Sequence, residues 1–208
     1  MIPIQNIYYM LSYAFQVLNE QCYKNIATEQ FNNTGELMAA ILEKGIAIQL
    51  KRGLGKEYIL QTEALSSLRG KIDIAESIKT QSMLRKQLIC TYDEFSVNSI
   101  MNRIIKSTVE LLLRSNISKQ RKKNLRKLMV YFSEVDFIDL YTVNWNVQYN
   151  RNNQTYRMLI SICYLVVKGL LQTQSNGHTE LMDFLDEQRM CRLYEKFILE
   201  YYRKEFKN

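Results

Sequence analysis

Apolar residues recur at helical spacing along most of this chain and alternate only in shorter runs towards its middle. Ile4, Ile7, Tyr8, Leu11, Ala14, Phe15 and Leu18 fall on one face of a first helix, entered through Pro3. Glu36 to Leu50 reads as a second helix, stopped at Arg52-Gly53. Between residues 56 and 96 the period shortens: Tyr58–Thr62 and Leu88–Phe95 suit strands, and Gly70–Ile74 suits another. A short helix over Ala75–Ser82 fits among them. Asn98 or Ser99 then caps a helix from Ile100 to Leu113, whose Met101, Ile104, Ile105, Thr108, Leu111 and Leu112 share one side. Ser118 to about Phe132 is again helical, Trp145–Tyr149 suits a further strand, and Asn150–Gln154 a turn. Thr155–Gln172 reads as the most buried helix, and Glu187–Phe206 carries Met190, Leu193, Tyr194, Phe197, Ile198 and Tyr201 on a last stripe. The predicted class is α+β, predominantly helical with a small antiparallel sheet built largely from residues 56–96.

Composition narrows this picture without changing it. The 208 residues suit one domain, and 47% hydrophobic residues suffice for a sizeable core. One Pro and seven Gly leave little room for an all-β fold with many tight turns. The longest apolar run, Met158–Leu171, is interrupted by Ser161, Lys168 and Gly169, and a membrane span needs about 20 apolar residues. The expectation is therefore a soluble cytoplasmic protein with no membrane partner. Cys22, Cys90, Cys163 and Cys191 are far apart and form no C-x-x-C pair, so reduced thiols are expected in place of disulfides or zinc. His178 is the only histidine and lies in a polar Ser-Asn-Gly-His-Thr run, which gives a catalytic triad little to stand on.

Charge adds one strong local feature. Seven basic residues (Arg114, Lys119, Arg121, Lys122, Lys123, Arg126 and Lys127) lie between positions 114 and 127, with no acidic residue among them. Removing these seven from the 28 basic residues leaves 21, against 21 acidic residues, so the whole net charge of +7 resides in that segment. At about 100° per residue, Lys119, Lys122, Lys123, Arg126 and Lys127 share one arc, and Leu125, Leu128, Met129 and Phe132 oppose it. Those five cations are the candidate DNA-binding residues, although the pattern alone slightly favours a merely solvated helix face.

Catalytic constellations are weak by comparison. Asp73, Asp93 and Glu94 sit in the densest polar stretch, residues 68–106, but no acid-x-Lys block accompanies them there. Glu205-Phe206-Lys207, with Asp186 upstream, falls in a helical pattern where a nuclease strand is not expected. Asp73 is better read as bonding nearby backbone groups. Arg52-Gly53-Leu54-Gly55-Lys56 lacks Walker spacing and precedes a strand, so it reads as a turn. The polar run from Tyr149 to Arg157 leads into the buried helix, and Arg151 and Arg157 are candidates for partner contact.

Five blocks carry a family likeness: Ile2-Pro3-Ile4-Gln5-Asn6-Ile7-Tyr8-Tyr9-Met10-Leu11; Leu68-Arg69-Gly70-Lys71-Ile72-Asp73; Tyr92-Asp93-Glu94-Phe95 with Asn102-Arg103-Ile104-Ile105-Lys106; Asn150-Arg151-Asn152-Asn153 with Tyr156-Arg157; and Met190-Cys191-Arg192-Leu193-Tyr194-Glu195-Lys196-Phe197. In this order they resemble the McrC family, nuclease subunits of the McrBC modification-dependent restriction system, nearly end to end. The resemblance implies a modular subunit. Its N-terminal half would dock on a McrB-like AAA+ GTPase ring and stimulate hydrolysis of GTP, which the ring binds. Its C-terminal half would carry a Mg2+-dependent PD-(D/E)xK nuclease that cuts DNA bearing modified cytosine. The implied division is a partner-binding domain over 1–186 and a helix over 187–208 leading toward a nuclease domain with no match here. The chain stops at Asn208, so cleavage is not carried over to it, whether it is a fragment or a short gene product. No catalytic residue, metal site or cofactor of its own is assigned. Arg69, Lys71, Arg151 and Arg157 are the expected partner-binding residues. The alternative is a direct DNA-binding protein that uses the basic helix face, with a weak or atypical nuclease activity.

Overall fold

The computed structural model describes residues 4–15, 23–150, 153, 155–173, 195, 197–199 and 201–203. Its elements run α1 (Ile4–Ala14), α2 (Lys24–Thr28), α3 (Thr34–Arg52), β1 (Glu57–Leu65), β2 (Lys71–Asp73), α4 (Ile74–Lys79), a 3-10 turn (Ser82–Arg85), β3 (Leu88–Ser96), α5 (Ile100–Arg114), α6 (Lys119–Met129), a second 3-10 turn (Val130–Phe132) and α7 (Tyr156–Thr173). The mainly helical α+β class is as expected.

The helical layer is built around α3, which touches α1, α2, α5, α6 and α7. Burial of Leu37, Met38, Ala39, Ala40, Ile41, Leu42 and Ile46 all round this helix explains its weak amphipathicity in sequence. Asn33 caps it by accepting from the Glu36 N–H at 2.8 Å. Its other end stops at Gly53, whose φ of 88° is open to glycine and strained for any other residue. The α5 helix contributes Met101, Ile104, Ile105, Val109 and Leu112 to the core, and α7 contributes Leu159, Ile162, Cys163 and Val166. Ser99, not Asn98, is the N-cap of α5. The Phe197 ring meets Tyr13 edge-on at 5.4 Å and the Tyr201 ring meets it at a tilt at 5.5 Å, so the last described helical residues pack against α1. Among the described residues, no helix is long and apolar enough to cross a membrane.

The three strands form an antiparallel sheet in the order β1-β3-β2, with Tyr58 opposite Phe95, Leu60 opposite Asp93, and Lys71 opposite Thr91. Its principal neighbours are α4 and the first 3-10 turn, and it stands beside the helical core more than within it. One expected strand is absent. Residues 143–149 do alternate, with Val143, Trp145, Val147 and Tyr149 half-buried and the residues between them exposed. No ladder forms, because this segment lies along the helical layer, where Trp145 meets Tyr164 at 5.3 Å. Period-two alternation there records which side faces the core, without a neighbouring strand to bond.

Candidate functional site

Eight of the exposed large apolar side chains lie within the sheet module: Tyr58, Leu60, Leu68, Ile74, Ile78, Met83, Leu84 and Phe95. Directly paired residues of an antiparallel ladder share a face. Tyr58, Leu60, Phe95, Asp93, Thr91 and Lys71 therefore line one side of the sheet. Tyr58 is 74% exposed, Leu60 67% and Phe95 55%, values that belong to a binding surface more than to a core. The Tyr58 and Phe95 rings stack 5.0 Å apart, and the Lys56 ammonium lies 5.8 Å from the Phe95 centroid. Thr62 and Thr91 bond across the strands at 3.0 Å. The result is an aromatic patch with a cation at one end and Lys71 on the outer strand.

The opposite face holds Cys90 and Tyr92, both buried. Arg69 lays its guanidinium over the Tyr92 ring, 4.0 Å from the centroid, and the Tyr92 hydroxyl donates to Glu63. That hydrogen bond first, and burial second, push the Tyr92 phenol above its ordinary range. Gly70 makes the close approach possible. Its φ is 68°, and a Cβ there would lie 2.3 Å from the Thr91 carbonyl oxygen. The expected partner residue Arg69 is thus engaged within the module, whereas Lys71 projects from the patch-bearing face.

A closed polar network ties both ends of the sheet to the helices. Fully buried Asn102 donates to the carbonyls of Gly55 at 2.9 Å and Val97 at 2.8 Å, one on the chain entering the sheet and one on the chain leaving it. Its Oδ1 accepts from the Tyr156 hydroxyl at 2.8 Å, and that hydroxyl accepts from the Gly55 N–H at 2.7 Å. Burial raises the Tyr156 phenol above its usual value, outweighing the bonds with Gly55 and Asn102. Gln49 adds a bond to the Gly53 carbonyl at 2.8 Å and accepts one from Thr155 at 2.8 Å. Since the Gly55 N–H is consumed here, the Gly53–Gly55 turn has no phosphate-loop character. Arg157 follows Tyr156 on the exposed side of α7; Arg151 lies outside the described residues.

The carboxylates Asp73, Asp93 and Glu94 do not converge. Asp73 caps α4 by accepting from the Glu76 N–H at 2.9 Å, as expected for a structural role. Asp93 and Glu94 are consecutive on β3 and point to opposite faces. No cluster of three metal-ligating side chains occurs among the described residues. His178, Asp186, Glu205 and Lys207 lie outside them.

The basic segment divides into two kinds of cation. Arg121 turns inward, its side chain only 13% exposed, with Nη1 at 2.9 Å from Glu43 and Nη2 at 2.5 Å from Glu29. Its Nε lies 3.5 Å from Glu36, near enough for attraction but not aligned for a hydrogen bond. Burial opposes the charge, yet Glu43 and then Glu29 outweigh it and hold the guanidinium above its ordinary pKa. Lys119, Lys123, Arg126 and Lys127 are exposed and Lys122 is half-buried; none forms an ion pair among the described residues. Leu125 and Phe132 are buried on the far side.

A family model described as the McrBC 5-methylcytosine restriction system component matches residues 5–208. The chain belongs to this McrBC family. The type IV methyl-directed restriction enzyme EcoKMcrBC of Escherichia coli (strain K12) is 30% identical to it over 207 residues, which cover 98% of this McrBC-family chain and 60% of that relative. The cryo-EM structure of the Thermococcus gammatolerans McrBC complex contains a chain that superposes with a TM-score of 0.64 at 20% identity, over 99% of this chain and 59% of that one. A refined half-complex from the tetradecameric assembly of Thermococcus gammatolerans McrB AAA+ hexamers with bound McrC gives 0.58 at 20% identity, over 93% and 46%. These two likenesses show that the chain shares the fold of those Thermococcus gammatolerans chains.

Sequence reasoning missed the Tyr58-Leu60-Phe95 patch and the Asn102–Tyr156 network. The patch left a faint signal, since Tyr58-Ile59-Leu60 breaks strict apolar-polar alternation.

Proposed function

We propose that this McrBC-family chain is a docking subunit that binds a McrB-like AAA+ GTPase through the open face of its sheet and stimulates hydrolysis of GTP held by that partner. The observation that carries the reading is the exposure of Tyr58, Leu60 and Phe95 together, on a module fixed to the helical layer by Asn102 and Tyr156. Aromatic anchors dominate the energetics of protein interfaces, and a rigid mount reduces the entropy lost on docking. A relative of the same fold occurs as McrC bound to McrB AAA+ hexamers, which supports the choice of occupant. Lys71, on the same face, and Arg157 would add polar contacts at the rim, and Arg151 is retained as a third candidate. Arg69 would act by holding Tyr92 and the loop. In this reading residues 1–186 form the docking domain and 187–208 lead toward a nuclease portion requiring Mg2+, within a system that cuts DNA containing modified cytosine.

The test is to purify the protein with its McrB-like partner and follow complex formation and GTP turnover. Co-elution with faster turnover supports the proposal. Absence of both binding and stimulation would overturn it.

A further inference from the structure

The docking proposal leaves the cations of α6 unused. They stand out because Arg121 is bound by three carboxylates while its five basic neighbours, Lys119, Lys122, Lys123, Arg126 and Lys127, pair with none among the described residues. Glu29, Glu36 and Glu43 gather around Arg121 on the inward side of the helix, and none lies within ion-pairing distance of a cation of the row. Lys127 also borders a cleft of about 420 Å³ whose charged lining mixes Lys44 and Arg121 with Glu29 and Glu43, so the purely basic surface is the outward face of α6 alone.

The geometry points to the outward face of α6 as a track for the phosphate backbone of duplex DNA. From Lys119 to Lys127 the helix advances about 12 Å, at 1.5 Å per residue. Over that length each strand of duplex DNA carries about three to four phosphates, so the row can meet several of them along one strand. The row contains no aromatic or apolar side chain between Lys119 and Lys127 that faces outward. A protein partner would favour a dry apolar centre and select against lysine, whereas backbone contact needs only cations at the right spacing. Four of the five residues are lysines. The contact is independent of base sequence and distinct from the sheet face, so it would hold DNA near the subunit without reading its modification.

The test compares the unaltered protein with Lys119→Glu, Lys123→Glu, Arg126→Glu combined, and with a control of equal charge change at the exposed Lys51, Lys79 and Arg85. Binding of a fluorescein-labelled 24-base-pair duplex is followed by anisotropy from 50 to 200 mM salt. If about three phosphates are contacted by these side chains, the unaltered protein loses about 40-fold more affinity across that range than the α6 variant does. The control should keep the original salt slope. An α6 variant with unchanged affinity and slope overturns the inference, as does an equal loss in the control, which would show a net-charge effect alone. Reduced binding to the AAA+ protein with unchanged DNA binding overturns it in favour of a protein contact. Should the glutamates prevent folding, the corresponding glutamine variant carries the same comparison.

Discussion

Changing Tyr156 to Phe removes one oxygen atom from the junction between sheet and helices. In the folded protein that oxygen accepts from the Gly55 N–H and donates to Asn102 Oδ1. Phenylalanine fills nearly the same volume, so the ring packing is retained and the loss is confined to two polar partners. Asn102 is fully buried and has no other donor for its Oδ1 among the described residues, while Gly55 is only half-buried and water can partly satisfy its N–H. A buried group stripped of its partner costs about 1–3 kcal/mol. The sum expected here is about 3 kcal/mol, nearer the upper bound for Asn102 and the lower for Gly55. For a domain of this size that corresponds to a fall in Tm of about 6–12 °C. Urea denaturation followed by circular dichroism measures it, with Tyr58→Phe as the control; that hydroxyl is exposed, so its change should stay within about 0.5 kcal/mol. Equal effects of the two substitutions would refute the claim that the network secures the sheet.

Further outcomes follow from the same contacts. Gly70→Ala combines an unfavourable positive φ with a clash against the Thr91 backbone, and should cost about 2–4 kcal/mol while accelerating amide exchange in β2 and β3. Arg121→Ala leaves Glu29, Glu36 and Glu43 without their shared cation and should cost about 3 kcal/mol by urea denaturation, far more than Lys123→Ala on the exposed face of the same helix. Burial pushes the Cys163 thiol up to about 12 from 9.0. Because the unfolded thiol ionises first, its contribution to stability is intact below pH 9.0 and is lost as pH rises toward about 12. Cys163→Ala should therefore show a shallower alkaline decline in stability, and the native thiol should react with thiol reagents only as fast as the protein opens.

Local signals were legible wherever one element determines its own state. The amphipathic faces of α5 and α6, and the stop at Gly53, follow from spacing and backbone freedom within a few residues. Alternation over Trp145–Tyr149 misled because half-burial against helices produces the same pattern as a strand. The Asn102 network joins residues up to 101 positions apart, and no local pattern encodes that pairing. Arg121 is intermediate: its angle on the helix places it away from the other cations, and Glu36 and Glu43, seven residues apart on α3, are spaced to meet it. The sheet patch was hardest to read, since Leu60 and Phe95 look equally suited to a core and to an interface until the neighbouring layers are known. The same holds for Arg69, whose charge suited partner contact but whose guanidinium lies on Tyr92.

The open sheet face, more than the helical layer, carries the proposed contact with the AAA+ partner. It is tested most directly by combining Tyr58→Ala, Leu60→Ala and Phe95→Ala and measuring affinity for the McrB-like protein together with its GTP turnover. All three side chains are more than half exposed, so thermal stability should change little. Affinity should fall at least 30-fold, the equivalent of about 2 kcal/mol for a single central anchor, and stimulation should fall with it. A folded variant that binds the partner and stimulates GTP hydrolysis as well as the unaltered protein would contradict the account.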